Sequence, residues 1–292
     1  MTLFLAAALL PGLYWDRGVE TIPALRKAGV TCVYVPADQS AAWQKAGFCH
    51  QVDTAKREKL ASPGIRMEYN QASATRAPWV DAHGWRFERR PAGAYLYELK
   101  AGAAELAAAE ACAYRANALL RIEAGDLEAY GRMLAFLART EADPLPARAN
   151  LGVIDDGSDV AGEVMNLLAR RNLLFRIVPA PDPQLDLNVR MGPDAADPSA
   201  FAYKIRRQLT DEKRLLRIYG SEVVLGRLTG DARKARLHLL NYARAKIEGL
   251  RVRVIGAYRT GTVAAAGYPS AGLADYTVTG NATEFRDRKS VV

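Results

Sequence analysis

Hydrophobic and polar positions along this chain follow a metre. Short β-rich runs alternate with helical stretches from Leu13 to about Arg214, after which helical periodicity stops and strands alone follow. Residues 13–15 read as a first strand, and 19–28 as a helix that buries Ile22 and Leu25 on one face. An apolar, β-branched strand is expected over 31–35, a helix over 39–46 closed by Gly47, and a short strand over 48–52. A polar helix then runs from 53 to about 60, and a fourth strand covers 65–68. From Tyr69 to Gly93 the periodicity vanishes and leaves a long loop. The metre resumes with strand 94–99, an Ala-rich helix over 101–115, strand 118–122 and an amphipathic helix over 126–139. A Pro-containing linker at 144–146 precedes strand 151–154, helix 159–171, strand 173–178, a small strand at 187–191 and helix 199–208.

Strands and helices repeating eight times in about 200 residues fit an α/β fold, a (β/α)8-like barrel over 12–214. The strand at 187–191, which such a barrel does not need, keeps a second layout open. In that layout a partial barrel to about Ala142 is followed by a separate Rossmann-like layer built from 151–191. Over 215–292, short strands separated by Gly-containing turns predict a C-terminal antiparallel β-sandwich as an accessory domain. Arg251 and Arg253 alternating with Val252 and Val254 mark a half-buried strand within it.

Composition narrows the function classes. At 292 residues, 50% hydrophobic and 25% charged, the chain has material for one large and one small core and is not a disordered polymer. The net charge of +8 invites an anionic partner, yet the cations are scattered singly or in pairs such as Arg89-Arg90, Arg170-Arg171 and Arg206-Arg207. No basic stripe interleaved with aromatics appears, so no nucleic-acid partner is expected, while an acidic sugar stays open. No segment reaches 18 apolar residues, so no membrane span is expected. The apolar start before Pro11-Gly12 reads as a shortened secretory signal over 1–11, lacking a basic n-region, with an apolar first strand as the alternative. It places the protein outside the cytoplasm of a bacterium, secreted or periplasmic. Three cysteines give no closed disulfide framework, and Cys32 and Cys112 read as small core residues.

The segment Arg236-Leu-His-Leu-Leu-Asn-Tyr242 resembles a strand of accessory domains that follow glycoside hydrolase barrels. The loop Pro78-Trp-Val-Asp-Ala-His-Gly-Trp-Arg-Phe87 and the segment Asn150-Leu-Gly-Val-Ile-Asp-Asp-Gly-Ser158 resemble those of uncharacterised bacterial glycoside hydrolase-like proteins with this layout. The resemblance implies a carbohydrate ligand. It also shows a departure, since retaining barrel hydrolases of the largest clan end their fourth strand with Asn-Glu and their seventh with Glu. Here those ends read Met67-Glu68 and Ile154-Asp155.

In a barrel the active site gathers at the carboxyl ends of the strands. Glycoside hydrolysis needs two carboxyl groups there, about 5–5.5 Å apart for retention and about 6.5–9.5 Å for inversion. Glu68 and Asp155 are the expected catalytic pair. Trp15, Asp16, Tyr69, Arg76, Asp81, Trp85, Glu98 and Asp156 are expected to bind substrate, the aromatics by stacking on sugar rings. Structural alternatives accompany them: Asp155 to Asp159 as a turn and helix cap, Asp16 as a cap of the first helix, Glu68 as an exposed carboxylate, Trp79 and Trp85 as loop anchors. Phosphate-loop, dinucleotide and zinc motifs are missing and His50, His83 and His238 are isolated, so no cofactor and no metal are expected. The chain therefore reads as a glycoside hydrolase-like protein acting by paired carboxylates, or as a non-catalytic relative binding a glycan or a protein.

Overall fold

A computed structural model describes residues 10–66, 78–141, 143 and 145–286. The chain opens with β1 (Gly12–Tyr14), α1 (Ile22–Lys27), β2 (Cys32–Val35), α2 (Ser40–Lys45) and β3 (Cys49–Val52). Then come β4 (Glu58–Ala61), β5 (Gly64–Arg66), β6 (Trp79–Asp81), α3 (Gly84–Arg89) and β7 (Ala94–Glu98). They are followed by α4 (Ala104–Ala113), β8 (Asn117–Arg121), α5 (Leu127–Thr140), β9 (Leu151–Ile154) and α6 (Asp159–Arg170). The last mixed stretch holds β10 (Phe175–Ile177), β11 (Leu187–Arg190) and α7 (Pro198–Gln208). Eight strands close the described residues: β12 (Leu216–Tyr219), β13 (Val224–Gly230), β14 (Ala235–Asn241), β15 (Arg251–Ile255), β16 (Thr262–Val263), β17 (Ala271–Gly272), β18 (Ala274–Thr279) and β19 (Ala282–Arg286). These elements fall into two units, one drawn from 1–63 and 90–144, the other from 64–89 and 145–292.

The first unit is built on a parallel sheet of order β3-β2-β1-β8-β7-β4. Its strands bury Leu13, Val33, Val35, Tyr97, Leu119 and Leu120 almost completely. Helix α4 shows why an Ala-made segment suits this sheet: Ala104, Ala107, Ala108 and Ala111 are buried and let the helix lie close. In α5, Gly131 lies so near the Ala28 carbonyl that a Cβ would sit 1.8 Å from its oxygen. Inside this core Tyr97 donates to the buried Glu110 carboxylate at 2.7 Å, and Tyr130 donates to the Pro11 carbonyl at 2.9 Å.

Three expectations are corrected here. The polar run expected as a helix over 53–60 contributes β4, an edge strand with Leu60 alone buried, and an edge tolerates charge that a central strand would not. The strand expected over 65–68 is the short β5, antiparallel to β6 and outside the parallel sheet. Cys32 is not an isolated core residue: it is disulfide-bonded to Cys49, its register partner on the neighbouring strand. Buried Cys112 is a core residue, as expected.

The eight strands expected of one barrel are divided among three sheets, with the fourth in the β5-β6 pair. β9 pairs in parallel with β10 and β11 in a three-stranded sheet of their own, as the second of the two layouts expects. The six-stranded sheet is open, with β3 and β4 at its edges. Parallel neighbours need a crossover of about a dozen residues, and the chain passes from Val52 to Glu58 with no helix between them. The result is a mixed α/β architecture with a parallel central sheet and several antiparallel sheets.

In the second unit, α6 and α7 cover the three-stranded sheet through a core of Leu151, Val153, Val164, Met165, Leu168 and Ile205. The long loop expected over 69–93 carries β6 and α3 within its described part, and α3 packs against α6. After 215 the structure is strand, in a four-stranded antiparallel sheet of order β12-β15-β19-β18 and the hairpin β13-β14. Leu216, Val224, Leu228, Val252 and Val254 from both share one core. The secretory segment expected over 1–11 lies mostly outside the described residues.

Candidate functional site

Parallel pairing brings every carboxyl end of the first sheet to one rim, where α/β folds place ligands. Register sets Tyr14, Arg121 and Glu98, the last residues of β1, β8 and β7, side by side. Asp16 follows β1 by two residues. Arg121 Nε and Nη2 donate to Asp16 Oδ2 at 3.0 and 2.5 Å, and its Nη1 lies 3.9 Å from Glu98 Oε1. Lys59 Nζ of β4 reaches the same Glu98 oxygen at 2.9 Å. Four adjacent strands thus present Asp16, Arg121, Glu98 and Lys59, a row of alternating charge. The row is open: the Asp16 and Glu98 side chains keep 39% and 42% of their exposure.

Neighbouring groups complete the rim. Gln39 donates to the Asp16 carbonyl at 3.1 Å, Arg17 pairs with Glu123 at 3.4 Å, and the Arg121 guanidinium lies over the Tyr14 ring. Asp16 makes no cap of the first helix; its carboxylate faces Arg121. Trp15, expected as a stacking surface, is 2% exposed, and its indole N–H donates to Thr21 Oγ1 at 2.9 Å. It anchors the turn after β1. Sequence reasoning overlooked Arg121 and Lys59. A lone arginine closing the apolar run Ala-Leu-Leu-Arg121 was a usable signal, because a charge there has to leave by the strand end.

The remaining expected residues lie in the second unit or outside the described residues. Glu68, Tyr69 and Arg76 are in the latter group. Asp155 follows β9 and accepts from Arg89 Nε and Nη2, each at 2.8 Å, and from the Gly157 N–H at 3.0 Å. The Arg89 hydrogen bond, aided by Gly157, holds the Asp155 carboxyl below its ordinary range. Asp156 is held low by its hydrogen bonds with Ser158. Ser158 caps α6 by accepting from the Ala161 N–H at 3.1 Å, so this segment is also the turn and cap weighed as its alternative.

Asp81 pairs with Arg66 at 2.6 Å across β5 and β6, and Trp85 is buried with Arg86 over its ring. Trp79 lies with the Arg170 guanidinium 3.7 Å from its ring centre. Glu88 was not anticipated. It pairs with Arg227, and burial pushes its carboxyl above the ordinary range despite that cation. Of the expected residues, then, the structure brings Asp16 and Glu98 to one guanidinium, and sets Asp155 beside Asp156 on another element. Among the described residues no three His, Cys, Asp or Glu side chains cluster to hold a metal, and no helix is long and apolar enough to cross a membrane.

No family model and no curated protein matches the chain. Among solved structures it is similar to alpha-L-fucosidase isoenzyme 2 from Paenibacillus thiaminolyticus, with a TM-score of 0.48 and 9% identity over 70% of this chain. The chain spans 60% of that protein's length.

Proposed function

We propose that this is a glycoside-hydrolase-like protein whose carbohydrate ligand lies across the carboxyl rim of the six-stranded sheet, with Asp16 and Glu98 as the paired carboxylates. What carries the proposal is that both reach one guanidinium, Arg121, from strands on either side of it. Sugar hydroxyls donate and accept at once, so a row of alternating carboxylates and cations matches them along a ring edge. In the hydrolytic step one carboxyl gives its proton to the leaving oxygen while the other attacks or activates water. The open parallel sheet followed along the chain by antiparallel sheets is then a reduced form of the barrel-and-sandwich layout.

The pair expected from the sequence, Glu68 and Asp155, enters the same test as a competing assignment. Asp155 is suited to a nucleophile or base, because Arg89 keeps it charged. The test is hydrolysis of a panel of chromogenic glycosides by the full chain and by Asp16→Asn, Glu98→Gln, Glu68→Gln and Asp155→Asn. Loss confined to the first two supports the rim. Loss confined to the last two moves the site, and activity kept in all four overturns the paired-carboxylate mechanism.

A second reading, a non-catalytic glycan-binding relative, is favoured by one observation. Asp16, Glu98 and Asp155 each rest against a cation, an arrangement that compensates charge as a binding site does. Turnover of no glycoside, with calorimetric binding of a polysaccharide lost in Arg121→Gln, is its signature. Export is part of either reading: a disulfide such as Cys32–Cys49 persists in oxidising compartments. Thiol alkylation of protein taken from the bacterial periplasm, leaving Cys32 and Cys49 unmodified until reduction, checks it.

A further inference from the structure

The four-stranded antiparallel sheet carries a second polar surface, unrelated to the rim. Val252 and Val254 of β15 and Leu216 of β12 enter the core, so the two-residue period turns Arg217, Tyr219, Arg251 and Arg253 to the opposite face. Register continues this face onto β19 through Glu284 and Arg286, and onto β18 through Thr277. Arg251 stands directly opposite Arg286, and Arg217 opposite Arg253. Like charges facing each other across strands are unfavourable unless something divides them.

Carboxylates divide them here. Arg217 pairs with Asp211 at 3.0 Å, Arg253 with Glu284 at 3.7 Å, Arg251 with Glu284, and Arg286 with Asp275 at 3.6 Å. Asp275 is placed by a bulge, where register steps from Ala274 to Thr277, and holds φ at 45°. Bulges of this kind re-aim a side chain beside a site. Because Arg251 and Arg286 turn toward different carboxylates, a groove of about 370 Å3 opens, lined by both with Asp275, Thr277, Glu284 and Phe285. Tyr219 continues the Arg251 and Arg286 row, its ring centre 5.6 Å from the Arg251 guanidinium.

We propose that this face binds an acidic glycan, a polysaccharide of uronic acid units. One uronate carboxylate sits between Arg251 and Arg286, taking guanidinium N–H donors beyond those turned to Glu284 and Asp275. Asp275, Glu284 and Thr277 accept the hydroxyls of the same sugar, and Tyr219 supports the next ring. The groove's own carboxylates favour a sugar, whose several hydroxyls they can accept, over a DNA backbone, whose deoxyribose units have none to give along the chain. The chain's net charge of +8 favours approach of such a polyanion.

The test uses the full chain and calorimetry with polygalacturonate, dextran and a single-stranded DNA oligonucleotide. Expected are binding of polygalacturonate that weakens as salt rises, no comparable binding of dextran or DNA, and a loss of at least tenfold in Arg251→Gln/Arg286→Gln. Thr277→Asp leaves the arginines in place but adds an anion to the groove at an exposed position, so it decides the matter if the double variant does not fold. Absent polygalacturonate binding, equal binding of dextran or DNA, or unchanged affinity in a folded variant overturns the proposal.

Discussion

The rim of the first unit and the interior of the second use the same chemistry, arginine against carboxylate, at two depths. On the rim, the Asp16, Glu98 and Arg121 side chains are 39%, 42% and 44% exposed. In the second unit, Arg89 and Asp155 are 16% and 17% exposed, and Arg227 and Glu88 are 11% and 15%. An exposed pair gains little, because water solvates its members almost as well apart as together. A sequestered pair has exchanged that water for its partner, so each member depends on the other. The difference separates carboxylates free to meet a ligand from carboxylates committed to holding the fold, a distinction that residue type and strand end alone do not make.

The largest expected effect tests that dependence. Arg89→Ala leaves Asp155 without its two-pronged partner and frees the Ser158 carbonyl that Arg89 also binds. A loss of about 3–5 kcal/mol is expected, against less than about 1 kcal/mol for Arg121→Ala. Urea midpoints of the two variants measure both. Equal losses would erase the contrast between rim and interior.

The next effect asks what stabilises the first unit if its rim charges do not. Cys32 and Cys49 are separated by 17 residues, and closing a loop of that size contributes about 3 kcal/mol. Cys49→Ser should lower the unfolding free energy by that amount and the melting point with it, and dithiothreitol should do the same to the parent chain. A variant that melts with the parent would show that the staple does not hold this sheet.

Depth also explains what was legible in the sequence. The Ala-rich run became the buried α4, and the alternation of Arg251, Val252, Arg253 and Val254 became β15 with its valines inside. Periodicity reports which face is dry, and it did so well. It failed where charge outweighed burial: 56–59 reads as polar, so β4 passed for a helix, although its edge position needs Leu60 alone inside. It failed again at partnership. Asp16 and Glu98 were marked as strand-end acids, but their shared Arg121 lies on a strand distant in sequence and adjacent only through the order β1-β8-β7. Glu88 gave no signal, because its depth follows from Arg227, which the chain supplies far downstream.

A third expectation turns the contrast into a pH profile. Asp155 has a lowered folded-state value, so its contribution is present above the ordinary carboxylate range and lost as pH falls below about 4. Glu88 has a raised one, so the folded state holds its proton more tightly and stability declines as pH climbs through and above that range. Asp155→Asn should therefore flatten the acid limb of a melting-point profile, while Glu88→Gln should flatten the decline on the other side. Movement of the same limb in both variants would contradict the opposite environments.

The smallest effect on stability is expected to bring the largest loss of function. Asp16→Asn keeps the size of the side chain and removes the charge that faces Arg121, on a rim where water replaces what is lost. Its melting point should shift by less than about 1 kcal/mol equivalent. If the rim is the carbohydrate site, the same substitution removes a group whose acid–base or nucleophilic part is worth about a hundredfold or more, and hydrolysis falls accordingly. Glu98→Gln should behave alike, and the double variant should lose little beyond either single one, because groups that act on one reaction step as a unit are not additive. A double variant whose losses multiply would assign Asp16 and Glu98 to separate tasks. A pair of variants that fold, melt and turn over as the parent does would leave the row of alternating charge as surface, and move the carbohydrate site off this rim.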